Sequence, residues 1–397
     1  MERHDSVEQL MQAFAERTGL AGSGAPQRYL WTDAFAVCNF LELYRMRGNP
    51  EFLDLARRLI TQVHDVLGAY AENDTRSGWL GGMDDRQHRA TPTRAGLRIG
   101  KQLPERSPSE AFDESREWDR DGQYFHYLTR WMHALERMIE ATGESCYHRW
   151  AVDLAIAAFE GFVHQSPGPD GRRMYWKMSV DLDRPLVPSM GHHDPLDGWV
   201  VAIMLAQSPH AGPEARERLE PLVSAYREMF SMRELATGDS LGIGGLLTDA
   251  WQLFRIPPGP SMTHGEQIAA LIDAAAAGLE HVARRGELEA PPSRRLAFRE
   301  LGLCIGLHAV ERLGGALDDE NETRVAPGAL SKAVDRVQPL FRLSLPVEKL
   351  WLRPENRKLS VWTAHQDIND VMLAASLAPD GYLGDMLPGE PATEDSI

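Results

Sequence analysis

Apolar residues return at three- and four-residue steps along most of the chain, and strict apolar–polar alternation is scarce. The pattern therefore predicts helices and few strands. Two kinds of helix are expected. One is amphipathic: in "EFLDLARRLITQVHDVL", Phe52, Leu55, Ala56, Leu59, Ile60 and Val63 form a single stripe with charges between them. The same stripe recurs near 3–18, 144–164, 214–230, 264–284 and 329–342. The other kind is apolar or small on nearly every face, as in a helix enclosed on all sides. Six segments read this way: "WTDAFAVCNFLELYRM", "GQYFHYLTRWMHALERM", "DPLDGWVVAIMLAQ", "GLLTDAWQLF", "RRLAFRELGLCIGLHAVERL" and "TAHQDINDVMLAASLA".

The two kinds alternate, six of each, provided that the N-terminal helix pairs with the last enclosed one. Repetition of a helical hairpin is the mark of a repeat architecture. Six hairpins can close into a ring, enclosed helices inside and amphipathic helices outside, which removes the exposed ends an open solenoid must cap. An open solenoid would also show short, regular connections. Here the spacing varies, and the connection over about 70–121 is long, as functional loops in compact domains tend to be. The expected fold class is all-α, a single (α/α)6 toroid over 1–385, with 386–397 as a flexible tail.

This alternation, with aromatic and acidic helix starts such as "YLWTDAF", "DGQYFHY" and "VWTAHQD", resembles the six-hairpin (α/α)6 toroid superfamily of carbohydrate-active proteins. That group includes unsaturated glucuronyl hydrolases, glucoamylase-like enzymes and N-acylglucosamine 2-epimerases. The resemblance covers nearly the whole chain. It implies a sugar-binding face where the first turns of the inner helices gather around a central pit. It carries no catalytic residue over, because the characteristic histidine segments of the 2-epimerases are not present in recognisable form.

Composition narrows the partners. Lysine and arginine total 42 against 58 acidic residues, a formal charge of −16, which repels phosphate backbones and anionic membranes. Nucleic acid and membrane are not expected as partners; a small-molecule carbohydrate is. The start of the sequence shows no signal-peptide core and no apolar run reaches membrane-span length, so a cytoplasmic protein is expected. Cys38, Cys146 and Cys304 are scattered and odd in number, which argues for buried thiols and against a disulfide framework. No phosphate-binding glycine loop and no GxSxG elbow is present, and "GIGG" at 242–245 reads as a helix junction.

The chemistry concentrates at the starts of the enclosed helices. The first offers Tyr29, Trp31 and Asp33; the second Asp119, Asp121, Gln123, Tyr124 and His126; the third His192, His193, Asp194, Asp197 and Trp199. The fourth carries Asp249 and Trp251, the fifth Arg294, Arg295, Arg299 and Glu300, and the sixth Trp362, His365, Gln366, Asp367 and Asp370. Aromatic faces cover the C–H surfaces of sugars while carboxylates, amides and imidazoles bond the hydroxyls. Each aspartate has an alternative role as a helix cap, and adjacent residues such as His192, His193 and Asp194 lack the separation of a metal motif. The long connection has Trp79 and Trp118 near its ends. It is read as an ordered flap over the pit, with Asp85, Arg86, Arg94, Arg98 and Lys101 available to the ligand.

Two chemistries fit such a rim. Glycoside hydrolysis wants a protonated and an ionised carboxyl flanking the bond, and the expected pair is Asp121 with Asp197. Epimerisation or isomerisation of a free sugar wants groups that move a proton beside a carbonyl, for which His126, His193 and His365 are suited. A non-catalytic sugar-binding toroid is the third reading. None of these requires a cofactor or a metal.

Overall fold

A computed structural model describes residues 3–166, 171–256, 264–318 and 328–384, so the expected tail lies outside the described residues. Among the described residues, twelve long helices follow one another: α1 (Arg3–Arg17), α2 (Leu30–Arg47), α3 (Pro50–Leu67), α4 (Phe125–Thr142), α5 (Cys146–Phe162) and α6 (Asp194–Gln207). The second half adds α7 (Pro213–Glu228), α8 (Ser240–Arg255), α9 (Gly265–Arg285), α10 (Ala297–Asp318), α11 (Gly328–Val337) and α12 (Gln366–Leu377). The even-numbered helices pack in order, each on the next, and α12 returns to α2, which closes an inner ring. Each odd-numbered helix lies against an inner neighbour, and α1 packs on α12, the pairing of first and last helices that the pattern requires.

The two kinds of helix differ because their surroundings differ. α3 begins with Asn49 accepting a hydrogen bond from the Glu51 backbone N–H at 3.0 Å and with Pro50 at its first position, and its stripe from Phe52 to Val63 is buried. α2 is buried on all faces between Leu30 and Leu43, including Asp33, Asn39 and Glu42. The "GIGG" segment is no junction; it lies inside α8. A Cβ on Gly244 would sit 2.2 Å from the Gly302 carbonyl oxygen, and one on Gly306 would sit 2.6 Å from that of Gly244. Small residues here let α8 and α10 approach backbone to backbone.

The few strands among the described residues pack against α4 and α5. β1 (Gln123–Tyr124), β4 (Lys177–Met178) and β5 (Pro185–Val187) form one antiparallel sheet, and β2 (Val163–Gln165) pairs with β3 (Arg172–Met174). The long connection is ordered and sewn between the starts of α2 and α4. Leu97 and Ile99 are fully buried, the Ile99 N–H donates to the Gly122 carbonyl at 2.8 Å, and its own carbonyl accepts from Leu30 at 3.0 Å.

After α12 the chain turns into the ring as a short helix, Asp380–Leu383. Tyr382 stacks on Phe35 of α2 at 4.5 Å, its carbonyl bonds His133 of α4 at 2.8 Å, and the Leu383 carbonyl accepts from Trp251 of α8 at 2.8 Å. This plug spans three inner helices and gives the pit a floor. Among the described residues, no helix is long and apolar enough to cross a membrane.

Candidate active site

The starts of the inner helices meet on one face, and their side chains touch in sequence around the ring. The hydroxyls of Tyr29 (α2 N-cap) and Tyr127 (α4) hydrogen-bond at 2.7 Å. His126 Nδ1 lies 3.8 Å from Asp194 of α6, and the Arg130 guanidinium lies 3.3 Å from both carboxylate oxygens of Asp197. Asp249 of α8 lies close enough to feel the charges of both Asp197 and Arg130. Further round, Arg299 of α10 pairs with Asp239, the α8 N-cap, and Phe298 meets His365, the α12 N-cap, at 5.9 Å.

Three carboxyl groups therefore gather on one cation. Burial raises Asp249 well above the ordinary carboxylate range, with the Asp197 charge adding to the rise and Arg130 opposing it. Asp194 is likewise raised, by burial first and Asp197 second, and its Oδ2 is buried with no hydrogen-bond partner. Arg130 is held even more firmly charged than usual: its own burial opposes the charge, but Asp197, Tyr382 and Asp249 outweigh it. His126 is pushed down to about 4, chiefly by loss of hydration and against the pull of Asp197. It is neutral at neutral pH, and its side chain keeps 30% exposure, open to the pit. The cluster thus offers proton donors, a paired carboxylate and a neutral imidazole close together.

Of the residues expected at the rim, the ring brings together Tyr29, His126, Asp194 and Asp197. Asp121 is elsewhere: it is buried in an ion pair with Arg98 and accepts the backbone N–H groups of Gly100 (3.1 Å) and Lys101 (3.3 Å), so it anchors the flap and does not touch Asp197. Gln123 is a fully buried rivet between Leu97, Ala95 and Val180. Asp33 caps its own helix, accepting the Tyr29 N–H at 2.9 Å beside Arg28, and burial lifts it to about 6 despite that cation. Trp31, Trp199 and Trp362 turn into the core, against Phe35, Phe230 and Trp351 respectively. The HHD triplet diverges: His192 is exposed, His193 Nε2 bonds the Leu235 carbonyl at 2.8 Å, and Asp194 faces His126. On α12, His365 is exposed, Asp367 pairs with Arg17 at 2.8 Å, and Gln366 faces a small cavity shared with α1.

In the flap, Trp79 stacks on His88 at 3.6 Å and donates to Asp85 at 2.8 Å, while Arg86 and Arg94 are exposed. Lys101 alone of the expected cations reaches the pit, its ammonium 5.5 Å over the Tyr29 ring. Tyr124 is buried at the base of the flap, and Trp118 stands 47% exposed on it. Three residues of the cluster had no signal as rim positions: Tyr127, Arg130 and Tyr382. An arginine and an aspartate inside otherwise enclosed helices, as Arg130 and Asp249 are, would have been the sign to follow. A cavity of about 730 Å³ opens at the other end of the ring, among Arg45, Arg312 and Asp380. Its charges are spent on one another, Arg45 with Glu42 and both arginines with Asp380, so the pit is the stronger candidate.

No family model matches the chain, and a search of curated proteins finds no match either. Among solved structures, the chain is similar to the GH76A α-1,6-mannanase from Salegentibacter sp. HEL1_6, at 12% identity over 95% of this chain and 99% of that one, with a TM-score of 0.52. It also matches a polysaccharide lyase (10% identity, 94% and 96% covered, TM-score 0.47). A third match is the cellobiose 2-epimerase from Spirochaeta thermophila DSM 6192 (13% identity, 84% and 85% covered, TM-score 0.43). The first of these, spanning both chains almost end to end, carries the comparison: the chain has the six-hairpin (α/α)6 toroid fold.

Proposed function

We propose that the protein is a carbohydrate-active enzyme that hydrolyses glycosidic bonds, with Asp194, Asp197 and Asp249 supplying the acid–base chemistry. The observation that carries this reading is the gathering of three carboxyl groups on Arg130, two of them driven toward the protonated form by burial. A carboxyl that keeps its proton near neutral pH can protonate the leaving oxygen of a glycoside, and a neighbouring carboxylate can activate water or attack the anomeric carbon. Asp249 and Asp194 are the donors in this scheme, and Asp197, paired with Arg130, is the carboxylate. Tyr29 and Tyr127 offer ring faces and hydroxyls to hold the sugar at the mouth. That the ligand is a sugar draws support from this rim and, by analogy of fold alone, from the mannanase likeness.

The test is release of reducing sugar from a panel of aryl glycosides and oligosaccharides by wild type, Asp197→Asn and Asp249→Asn. The reading expects kcat to fall at least a hundredfold in each variant, the scale of a lost general acid or base. Equal rates in all three proteins would remove the carboxylates from the chemistry. A second reading rests on His126, a neutral imidazole open to the pit with Asp194 behind it. Such a base suits epimerisation of a free sugar, and this reading expects turnover to depend on His126 with no bond cleaved.

A further inference from the structure

An unbroken line of aromatic rings runs from the pit to the outer surface of the flap. Tyr29 meets Tyr127 at 5.6 Å between ring centres, Tyr127 meets Tyr124 at 5.2 Å, and Tyr124 meets Trp176 at 6.0 Å. Trp176 then meets Trp118 at 4.9 Å, with the two ring planes crossed at 81°. From Tyr124 outward exposure rises: Tyr124 is buried, Trp176 half-buried, and Trp118 47% exposed. The two indoles form the walls of a corner that faces solvent. An aromatic surface of this size left in water forgoes the stabilisation its burial would bring, and such patches mark contact sites.

The corner is also rigid. Lys177, the residue after Trp176, is fully buried, and its ammonium donates to the carbonyls of Glu117 at 2.7 Å and Arg120 at 2.8 Å. Those two carbonyls bracket Trp118 in the chain. The same ammonium pairs with the Glu117 carboxylate at 3.0 Å. One buried cation therefore fixes both tryptophans, and the ordering that a flexible platform would lose on binding is already complete.

We propose that Trp118 and Trp176 form a remote sugar subsite, and that the substrate is accordingly a glycan chain of several units. One unit occupies the pit while another lays a C–H face on the indole corner. This rests on the reading of the pit as a glycosidase site and extends it to substrate class. Phe112 provides an internal control. It lies in the same flap and is 51% exposed, but it sits under the Arg106 guanidinium at 5.7 Å, outside the aromatic line.

Affinity electrophoresis of the full chain in gels containing mannan, xylan, β-glucan or polygalacturonate reads binding without turnover. At least one polysaccharide should retard the wild type. Trp118→Ala should weaken that retardation about tenfold, the equivalent of roughly 1.4 kcal/mol and the scale of one stacking contact. Phe112→Ala should leave it unchanged, and Trp118→Phe, which keeps a flat face, should retain most of it. Retardation that ignores Trp118→Ala, or none in any of the four gels, overturns the proposal. Turnover of short aryl glycosides is measured separately. Trp118-dependent retardation in a protein that turns over nothing supports the subsite and counts against the chemistry assigned to the pit.

Discussion

Arg130→Met removes the one cation that three carboxyl groups share, and the structure sets the size of the effect. Arg130 stands 3.3 Å from both oxygens of Asp197, with both side chains almost wholly out of water. At an effective dielectric constant of ~20 this attraction is worth about 5 kcal/mol. Removing the arginine also removes the cost of burying it, so the net loss should fall at about 3–5 kcal/mol, as for other broken buried pairs. The loss should depend on pH. Asp194 and Asp249 have pKa values raised above their unfolded ones, so the folded state binds more protons than the unfolded state. Their contribution is fully present below the ordinary aspartate range and is lost as pH rises through the folded values. Without Arg130, whose charge holds both down, those values rise further. Urea unfolding should therefore show Arg130→Met at its full deficit at pH 7.5 and less than half of it at pH 5. An equal deficit at both pH values would assign Arg130 a packing role through its stem and refute the electrostatic account.

Other outcomes follow from the same geometry. Asp121→Asn should lower stability by about 3 kcal/mol in urea titration, through the Arg98 pair, and leave kcat on any turned-over glycoside near wild type. Gly244→Ala should lower stability by about 1–3 kcal/mol or more, read as a drop in Tm, because its Cβ would meet the Gly302 carbonyl at 2.2 Å. The pH profile of kcat/KM should lose activity on its alkaline side as Asp249 gives up its proton, and that limb should be absent in the residual activity of Asp249→Asn.

Much of the ring is legible along the chain because enclosed and amphipathic helices carry different periodicities. The segment "DPLDGWVVAIMLAQ" coincides with α6 from end to end. Helix starts are legible too, since polar side chains gather where the first turn leaves the core. What the one-dimensional pattern lacks is the direction of each side chain about the helix axis. Trp31, Trp199 and Trp362 all stand near helix starts, yet each is buried against another aromatic ring. Asp121 carries the signature of a rim carboxylate and is consumed by Arg98, a partner more than twenty residues distant that only the folded flap brings near. Asp249 lies in the third turn of α8 and reaches the site from the side, below any rim position. Tyr382 arrives from the far end of the chain as the floor.

The central claim is that the carboxyl cluster at Arg130 breaks glycosidic bonds, and an NMR time course tests it most directly. Wild type and Asp249→Asn would each be followed in deuterated water against a panel of glycosides and free sugars. The account predicts a newly released reducing sugar with wild type, no deuterium at the carbon beside the carbonyl, and release at least a hundredfold slower with Asp249→Asn. Deuterium entering that carbon with every glycosidic bond intact would contradict it and hand the chemistry to His126.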